Sequence, residues 1–344
     1  MTLVQQYAPG TGNRAMAMGI HPMDPEEAEG VSQLMREAYR GTYCKKFVYT
    51  PKKLRDGMES GDLFSVVKTG PEGQIIGYGA LQAYPGHPEI GLLGSLVVSP
   101  TYRNQGLERE IARYLADFGE KRGFLALTTG VSASLPYSLR IFDELGFSPS
   151  AIIPGAQPRN LPFAEMAGHF RRQECKILLT RLRSSVRYGP QYLPEQHREI
   201  ICALCRAQGI LIFPGRAGDA GPEPTVIDEN FSRESRAGRI LVRKSGNDFR
   251  RAVWQTLENL RARGAQSIEM HLDASDPHTP AAVAAAEEAG FIFSGILPGQ
   301  KGLILLYQFT REKICGDPIH LPDPLGTRLL AYIDAQRTPD LRKR

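Results

Sequence analysis

Apolar residues recur along this chain with two periods. From Leu107 they fall at Ile111, Tyr114, Leu115 and Phe118, and from Phe249 at Val253, Leu257 and Leu260. Steps of three and four place each set on one face of a helix. Each stripe leads into a short apolar run, "FLALTT" or "SIEMHL", that reads as a buried strand, and then into a second helix, "PYSLRIFDEL" or "TPAAVAAAEEA". Both successions close on nearly the same words, "GFSPSAIIPG" from Gly146 and "GFIFSGILPG" from Gly290. Gly-Phe, Ser, Ile, Pro and Gly stand at the same offsets in both, which points to a duplicated unit.

The repeated phrase has a structural reading of its own. A glycine just after a helix takes a left-handed C-cap at little cost, and the phenylalanine after it packs back on the helix it ends. The closing Pro-Gly is a turn signal leading toward a further strand, "CKILLTRL" in one copy and "GLILLYQF" in the other. The distance to that strand differs: Pro154 to Ile177 is 23 positions and Pro298 to Ile304 is 6, so the first copy carries 17 extra residues. This insert, lying within Ala156 to Gln173, reads either as a lid or binding loop or as an ordinary surface excursion.

Ahead of the first copy, "PEEAEGVSQLMREAYRG" and "PKKLRDGMESG" read as helices, followed by the strands "LFSVVKT", "QIIGYGALQAY" and "GLLGSLVVS", with "GPEG" as a hairpin turn. The second copy has a shorter front end: one helix over Glu195 to Ala207, then the strands "TVIDEN" and "GRILVRK". The expectation is an α/β chain of the α+β kind with mixed sheets, in two tandem domains at 14–183 and 184–312. Residues 313–344 read as a tail with a short helix.

Composition adds bounds. The 344 residues, 42% hydrophobic, are enough for two cores. A net charge of +5, from 42 basic and 37 acidic residues, is a mild surplus, and no basic helix or aromatic-basic stripe accompanies it. A nucleic-acid or membrane partner is therefore not expected. The N-terminus lacks a basic-then-apolar signal and no apolar run reaches membrane-spanning length, so a cytoplasmic location is expected. Five scattered cysteines argue against a disulfide framework. Cys202 and Cys205 share a helix face as small packing residues, and no second paired spacing completes a zinc site, so no metal is expected.

Candidate chemistry lies in "LVVSPTYRNQGLE", where a strand passes into a helix through Arg103, Asn104, Gln105 and Gly106. A helix N-terminus offers unpaired amides and partial positive charge to a phosphate, glycine permits close approach, and Arg103 adds a forked donor. The stretch resembles the Arg/Gln-x-x-Gly-x-Gly/Ala pyrophosphate loop of the GNAT acyltransferases and lies where that family keeps it. "IFDELGF" is similar to the family's late Tyr-x-x-x-Gly-Phe helix, and the resemblance covers nearly all of residues 14–183. The second half resembles a shortened, degenerate unit of the same family. The whole is similar to tandem GNAT modules found beside switch-type serine kinase or anti-sigma ATP-binding domains, though no such domain is expected in these residues.

The resemblance implies an acyl-CoA-dependent N-acyltransferase, with acetyl-CoA or another acyl-CoA as co-substrate and a small-molecule or peptide amine as acceptor. The main chain of Leu96, Val97 and Val98 would pair with the pantetheine, and Tyr102, Arg103, Asn104, Gln105, Gly106 and Leu107 would hold the pyrophosphate. It also allows a signalling partner, and the second unit acting as a fused partner in an internal pseudo-dimer. Two departures bear on catalysis. Glu108 stands where the family prefers Gly or Ala, suiting the helix dipole but repelling a pyrophosphate. Phe142 falls where many relatives place the tyrosine that protonates the thiolate. Tyr137 is then either the substitute acid or a packing residue, and Glu89 and His169 are either bases acting through water or structural. In the second unit "RKSGNDFRR" puts Asp248 at a helix N-cap, where it would occupy the amides an anion needs. A non-catalytic acyl-CoA sensor is the alternative to the enzyme.

Overall fold

A computed structural model of the protein describes residues 19–157, 174–216, 218, 223–310, 321 and 323–336. His169 and nearly all of the insert lie outside these residues. Packing divides the described chain into two units: the first takes residues 19–130 and 144–146, and the second takes 131–143, 147–157 and the described residues from 174 onward.

The first unit opens with β1 (Ile20–Pro22), α1 (Ala28–Tyr39) and α2 (Pro51–Glu59). It continues through β2 (Leu63–Thr69), β3 (Ile75–Tyr84), β4 (His87–Val98), α3 (Leu107–Lys121) and the greater part of β5 (Ala126–Ser132). The strands lie in the order β1-β2-β3-β4-β5, antiparallel except for the parallel pair β4·β5. The expected β2–β3 hairpin is closed by the Gly70 and Gln74 main chain, with an N–H to O distance of 2.8 Å. On one face α1 packs Val31, Leu34, Met35 and Ala38 with Leu54 of α2 against Val67, Tyr78, Ala80 and Val97. Of the α3 stripe, Ile111 and Leu115 are fully buried, while Tyr114 and Phe118 are half-buried.

The second unit holds α4 (Pro136–Glu144, save its last residue), β6 (Ser148–Gln157), β7 (Glu174–Leu182), β8 (Val186–Gln191), α5 (Arg198–Gln208) and β9 (Ile210–Pro214). It goes on with β10 (Val226–Ser232), β11 (Ala237–Lys244), α6 (Phe249–Ala262), β12 (Ser267–Asp273), α7 (Thr279–Glu288), β13 (Ile292–Pro298), β14 (Leu303–Thr310) and α8 (Pro324–Ala335). The order is β7-β6-β13-β14-β12-β11-β10. Here too an antiparallel pair, β10·β11, is followed by a parallel one, β11·β12. Phe249, Val253, Leu257 and Leu260 are all buried. The C-terminal helix α8 buries Leu329 and Ile333 and is tied at Tyr332, whose hydroxyl lies 2.6 Å from His197 Nδ1.

Both Gly-Phe phrases cap helices as expected, with φ of 80° at Gly146 and 93° at Gly290. The Phe147 N–H donates to Phe142 O at 2.9 Å and the Phe291 N–H to Ala286 O at 3.1 Å, the long bond of a left-handed cap. The phrases meet directly: β6 and β13 run antiparallel with Ala151 opposite Gly295, and these two residues occupy the same offset in the two phrases.

Several local readings are corrected by the structure. The first Pro-Gly does not turn the chain; β6 runs through it to Gln157, absorbing it in an irregular stretch with Gly155 at φ 67°. The second does turn, its Gly299 N–H donating to Gly302 O at 2.8 Å. The residues just after the expected boundary at 183/184, to which the sequence pattern assigns no element, form β8, which pairs in parallel with β9; the two pair across α5, a contact that no local pattern announces. Asp248 stands at the N-cap of α6 but makes no capping bond; its carboxylate accepts from the Thr225 N–H at 2.8 Å. A connecting segment brought in from elsewhere has outcompeted the helix's own amides for that oxygen.

Candidate functional site

The site is built where β4 parts from β5. Their parallel ladder begins at Ile90↔Ala126 and ends at Leu93↔Thr129, whereas β4 continues through Gly94, Ser95, Leu96 and Val97 to Val98, paired on its other side with β3. Within this stretch Ser95 and Leu96 together oppose the single Gly79, and Ser95 takes φ 55°. That is a β-bulge, which bends a strand and sharpens its twist. The bulge falls immediately after the last β4·β5 pair, so the strand turns away from its neighbour where the ladder stops. Leu96, Val97 and Val98, expected to offer main-chain contacts, all lie beyond that point.

After Val98 the chain makes a short 3-10 turn over Pro100–Tyr102, with the Tyr102 N–H donating to Ser99 O at 2.9 Å. Gln74 Nε2 donates to the Tyr102 hydroxyl at 3.0 Å, and Arg103 Nε reaches back to Val98 O at 3.4 Å, so the loop is anchored to β4 and the β2–β3 hairpin. Asn104 and Gly106 have φ of 59° and 79°. Gly106 is the N-cap of α3 and brings no side chain to its first-turn amides; a Cβ placed there would meet nothing within 4 Å. An L side chain would be strained at this φ. The helix therefore presents its positive end through a glycine with no capping side chain and with open space at its Cβ position, an arrangement that suits an anion.

Glu108 is half-buried in the first turn of α3. Burial pushes the Tyr39 hydroxyl well above the ordinary tyrosine range; the Glu108 carboxylate adds to the effect and the Arg103 guanidinium opposes it. Both charges thus lie within electrostatic reach of the end of α1.

The segment after α1 also enters the site. Arg40 and Gly41, with φ of 48° and 81°, reverse the chain after the helix, and it then passes over β4 at the bulge. The Tyr43 hydroxyl is 3.5 Å from Ser95 Oγ, and the Tyr43 N–H donates to the Tyr49 hydroxyl at 2.8 Å. The Lys45 side chain reaches Gly94, where a Cβ would stand 3.3 Å from its Nζ. Burial holds the Tyr43 hydroxyl protonated far above its ordinary value, with Cys44 and Tyr39 adding to the shift and the Ser95 bond opposing it.

The expected proton-transfer residues are placed less simply. Glu89 lies inside β4 and not ahead of it; four residues before Leu93, it is about 13 Å back along the strand. Its carboxylate is 3.8 Å from His87 Nδ1. Tyr137 is the second residue of α4, belongs to the other packing unit and is 48% exposed. Phe142 is buried, its ring meeting Phe147 edge-on at 5.2 Å. The corresponding loop of the second unit is closed. A Cβ at Gly246 would fall 2.0 Å from Glu223 O and 2.7 Å from Thr225 N, because residues 223–225 lie against it. Among the described residues no group of three or more His, Cys, Asp or Glu could hold a metal, and no helix is long and apolar enough to cross a membrane.

Sequence reasoning missed Tyr43, Lys45 and Ser95. An isolated glycine inside a strand pattern, Gly94, is a bulge signal that could have drawn attention to Ser95. Nothing local could have brought Lys45 there.

Similarity over part of the chain is found to solved structures. The ribosomal-protein-S18-alanine N-acetyltransferase from Escherichia coli is 20% identical, covering 47% of this chain and 90% of its own, with a TM-score of 0.37. An N-acetyltransferase from Staphylococcus aureus Mu50 is 12% identical, covering 48% and 98%, with a TM-score of 0.40. A phosphinothricin acetyltransferase from Sinorhizobium meliloti, solved in complex with acetyl-CoA, is 16% identical, covering 47% and 86%, with a TM-score of 0.39. No curated protein matches the chain. Residues 28–147, which hold the parted strand, the loop and α3, match the acetyltransferase (GNAT) family, and this stretch is a GNAT acetyltransferase family domain.

Proposed function

We propose that the protein transfers an acyl group, in the first instance acetyl, from acyl-CoA to an amine by direct attack, in the cytoplasm. On this reading the first repeat carries the reaction and the second is a degenerate copy with a structural part. The observation that carries the proposal is the uncapped, open N-terminus of α3 at Gly106, next to a stretch of β4 released from β5 after Leu93. Those residues fit an acyl-CoA. The amides after Gly106 with Arg103 would hold the pyrophosphate, and the main chain of Leu96, Val97 and Val98 would pair with the pantetheine. When bound, acyl-CoA supplies the activated thioester. The protein's share is to align the amine, accept its proton and deliver one to the departing sulfur. Glu89, through water, and Tyr137 are the groups proposed for those two steps. For the second unit, the segment 223–225 packed on Gly246 argues for the structural part, and Ala151 facing its counterpart Gly295 argues for an internal pseudo-dimer.

Phe142 favours a second reading. Its buried ring cannot donate a proton, so a module that binds acyl-CoA and passes the signal to a protein partner would need no other change. Titration with acetyl-CoA and longer acyl-CoAs, followed by CoA release with a panel of amines, separates the two. Binding with steady release supports the enzyme, binding without release supports the sensor, and no binding at tens of micromolar removes both. Tyr137→Phe is expected to lower the rate and leave acetyl-CoA binding unchanged; unchanged turnover would remove Tyr137 as the acid.

A further inference from the structure

The positive charge of this chain is not spread evenly. Residues 36–55 carry seven basic side chains and one acidic one, so this stretch alone holds a larger surplus than the +5 of the whole chain. It runs from the end of α1 into α2 and lies wholly in the first unit. Lys52 and Arg55 are paired with Asp56 and Glu29, each at 2.9 Å. Arg36, Arg40, Lys46 and Lys53 are exposed, and among the described residues no carboxylate pairs with them. Two of these are held by neutral groups: an Arg36 N–H donates to Tyr49 O at 2.5 Å, and the Lys46 ammonium donates to Gly41 O at 2.7 Å and stands 5.8 Å from the centre of the Tyr49 ring. A carbonyl fixes such a side chain without cancelling its charge, and most of the N–H donors stay available. The other two stand where the local fold does not favour them. Arg40 closes α1 at φ 48°, a backbone that favours glycine. Lys53 is in the first turn of α2, the positive end of that helix, where a cation is disfavoured.

We infer that this surface docks an acidic polypeptide segment, a run of aspartate or glutamate side chains on a partner protein. The inference does not depend on acyl-CoA binding and goes beyond the transferase reading. Charge complementarity sets the sign of the partner, and the neighbouring apolar groups set its class. Tyr39 and Tyr43 stack on each other at 4.9 Å, and with Phe47 and Tyr49 they pack against the core beneath α1 and α2. The ring faces on which a single-stranded nucleic acid would stack are thus turned inward. Among the described residues the exposed large hydrophobics, Tyr137, Leu211, Phe213, Val226 and Trp254, all belong to the second unit, so no apolar wedge accompanies these cations into a bilayer. Carboxylates need neither feature. Arg36 and Arg40 are about 6 Å apart along the end of α1, and Lys46 and Lys53 follow on the next elements, a spread that suits several carboxylates of one chain better than a single small anion. Arg36 and Lys46, already held by the main chain, lose little freedom on binding.

The test uses the full chain and follows the fluorescence anisotropy of a short labelled peptide of alternating glutamate and glycine. Its glutamine counterpart, an oligothymidylate of equal length and vesicles of phosphatidylcholine with phosphatidylserine are the comparison probes. Wild type is expected to bind the glutamate peptide and not the glutamine one, and to bind it more weakly as sodium chloride rises from about 0.05 to 0.2 M and shortens the reach of each charge. Arg40→Gly combined with Lys46→Gln and Lys53→Gln should raise the Kd for the glutamate peptide by about 10-fold, the loss of three exposed ion pairs, and leave the acetyl-CoA Kd unchanged. The same loss of charge at exposed positions of the second unit, Arg206→Gln combined with Arg233→Gln and Lys301→Gln, should leave peptide binding as in the wild type. Four results overturn the assignment: no salt-sensitive binding of the glutamate peptide by the wild type, an equal loss in the two triple variants, a tighter hold on the oligothymidylate or the vesicles than on the peptide, or a raised acetyl-CoA Kd in the first triple variant, which would give these cations to the cofactor.

Discussion

Gly295→Ala tests the seam at which the repeated phrases meet. In the structure a Cβ at Gly295 would lie 2.3 Å from Ser150 O and 2.4 Å from both Ala151 Cα and Cβ. Most of these atoms are backbone of the facing strand, which no side-chain rotation can move, so β6 must retreat by roughly 1 Å to restore van der Waals contact. Overpacking of this kind costs about 1–3 kcal/mol. The φ of 147° at Gly295 lies in a region essentially reserved for glycine, and holding alanine there adds about 1–3 kcal/mol. The sum, about 2–6 kcal/mol, is a large part of the roughly 5–15 kcal/mol that keeps a protein folded. Urea unfolding at 25 °C, followed by far-UV circular dichroism and by the emission of Trp254, the only tryptophan, reads it out. Gly209→Ala is the control within the same unit: φ is 72° and nothing lies within 4 Å of its Cβ, so only backbone strain of about 1–2 kcal/mol applies. A Gly295→Ala protein no less stable than the control would refute the close β6·β13 contact.

Two further outcomes are expected. Gly106→Asp places a carboxylate over the α3 amides and should raise the acetyl-CoA Kd by about 100-fold, a loss of roughly 3 kcal/mol for one charge-assisted anion contact, with a loss of stability no larger than the roughly 1–2 kcal/mol that the left-handed φ of 79° imposes on an L residue; unchanged affinity on titration would mean that the anion is held elsewhere. Glu269→Gln should destabilise the second unit by about 3 kcal/mol near neutral pH, since it breaks a largely buried pair with Arg239 at 3.0 Å. Burial alone would raise the Glu269 carboxyl, but Arg239 and His271 hold it below the ordinary carboxylate range. Burial also lowers His271, so at neutral pH Arg239 is the cation that matters. A carboxyl depressed on folding stabilises above its unfolded value and loses that contribution as pH falls. The gap between wild type and Glu269→Gln in urea midpoint should therefore narrow below about pH 4.5, and a gap independent of pH would contradict the pairing.

Much of this protein is determined by local chemistry. The stripes at Leu107–Phe118 and Phe249–Leu260 specify helices with one buried face, because side chains three and four apart must leave water together. Gly146 and Gly290 specify helix ends, because only glycine takes that backbone cheaply. Gly106 before a helix specifies an uncapped N-terminus by the same reasoning. Tertiary structure alone decided the rest. Whether the amides after Gly106 face open space, and those near Gly246 a packed segment, depends on where residues 223–225 travel. The first Pro-Gly stays inside β6 while the second turns, although the words are the same. Lys45 meets Gly94, and Ala151 meets Gly295, only once distant strands are in register. Such contacts depend on the closure of long loops and on the fit of whole faces, which local periodicity does not encode.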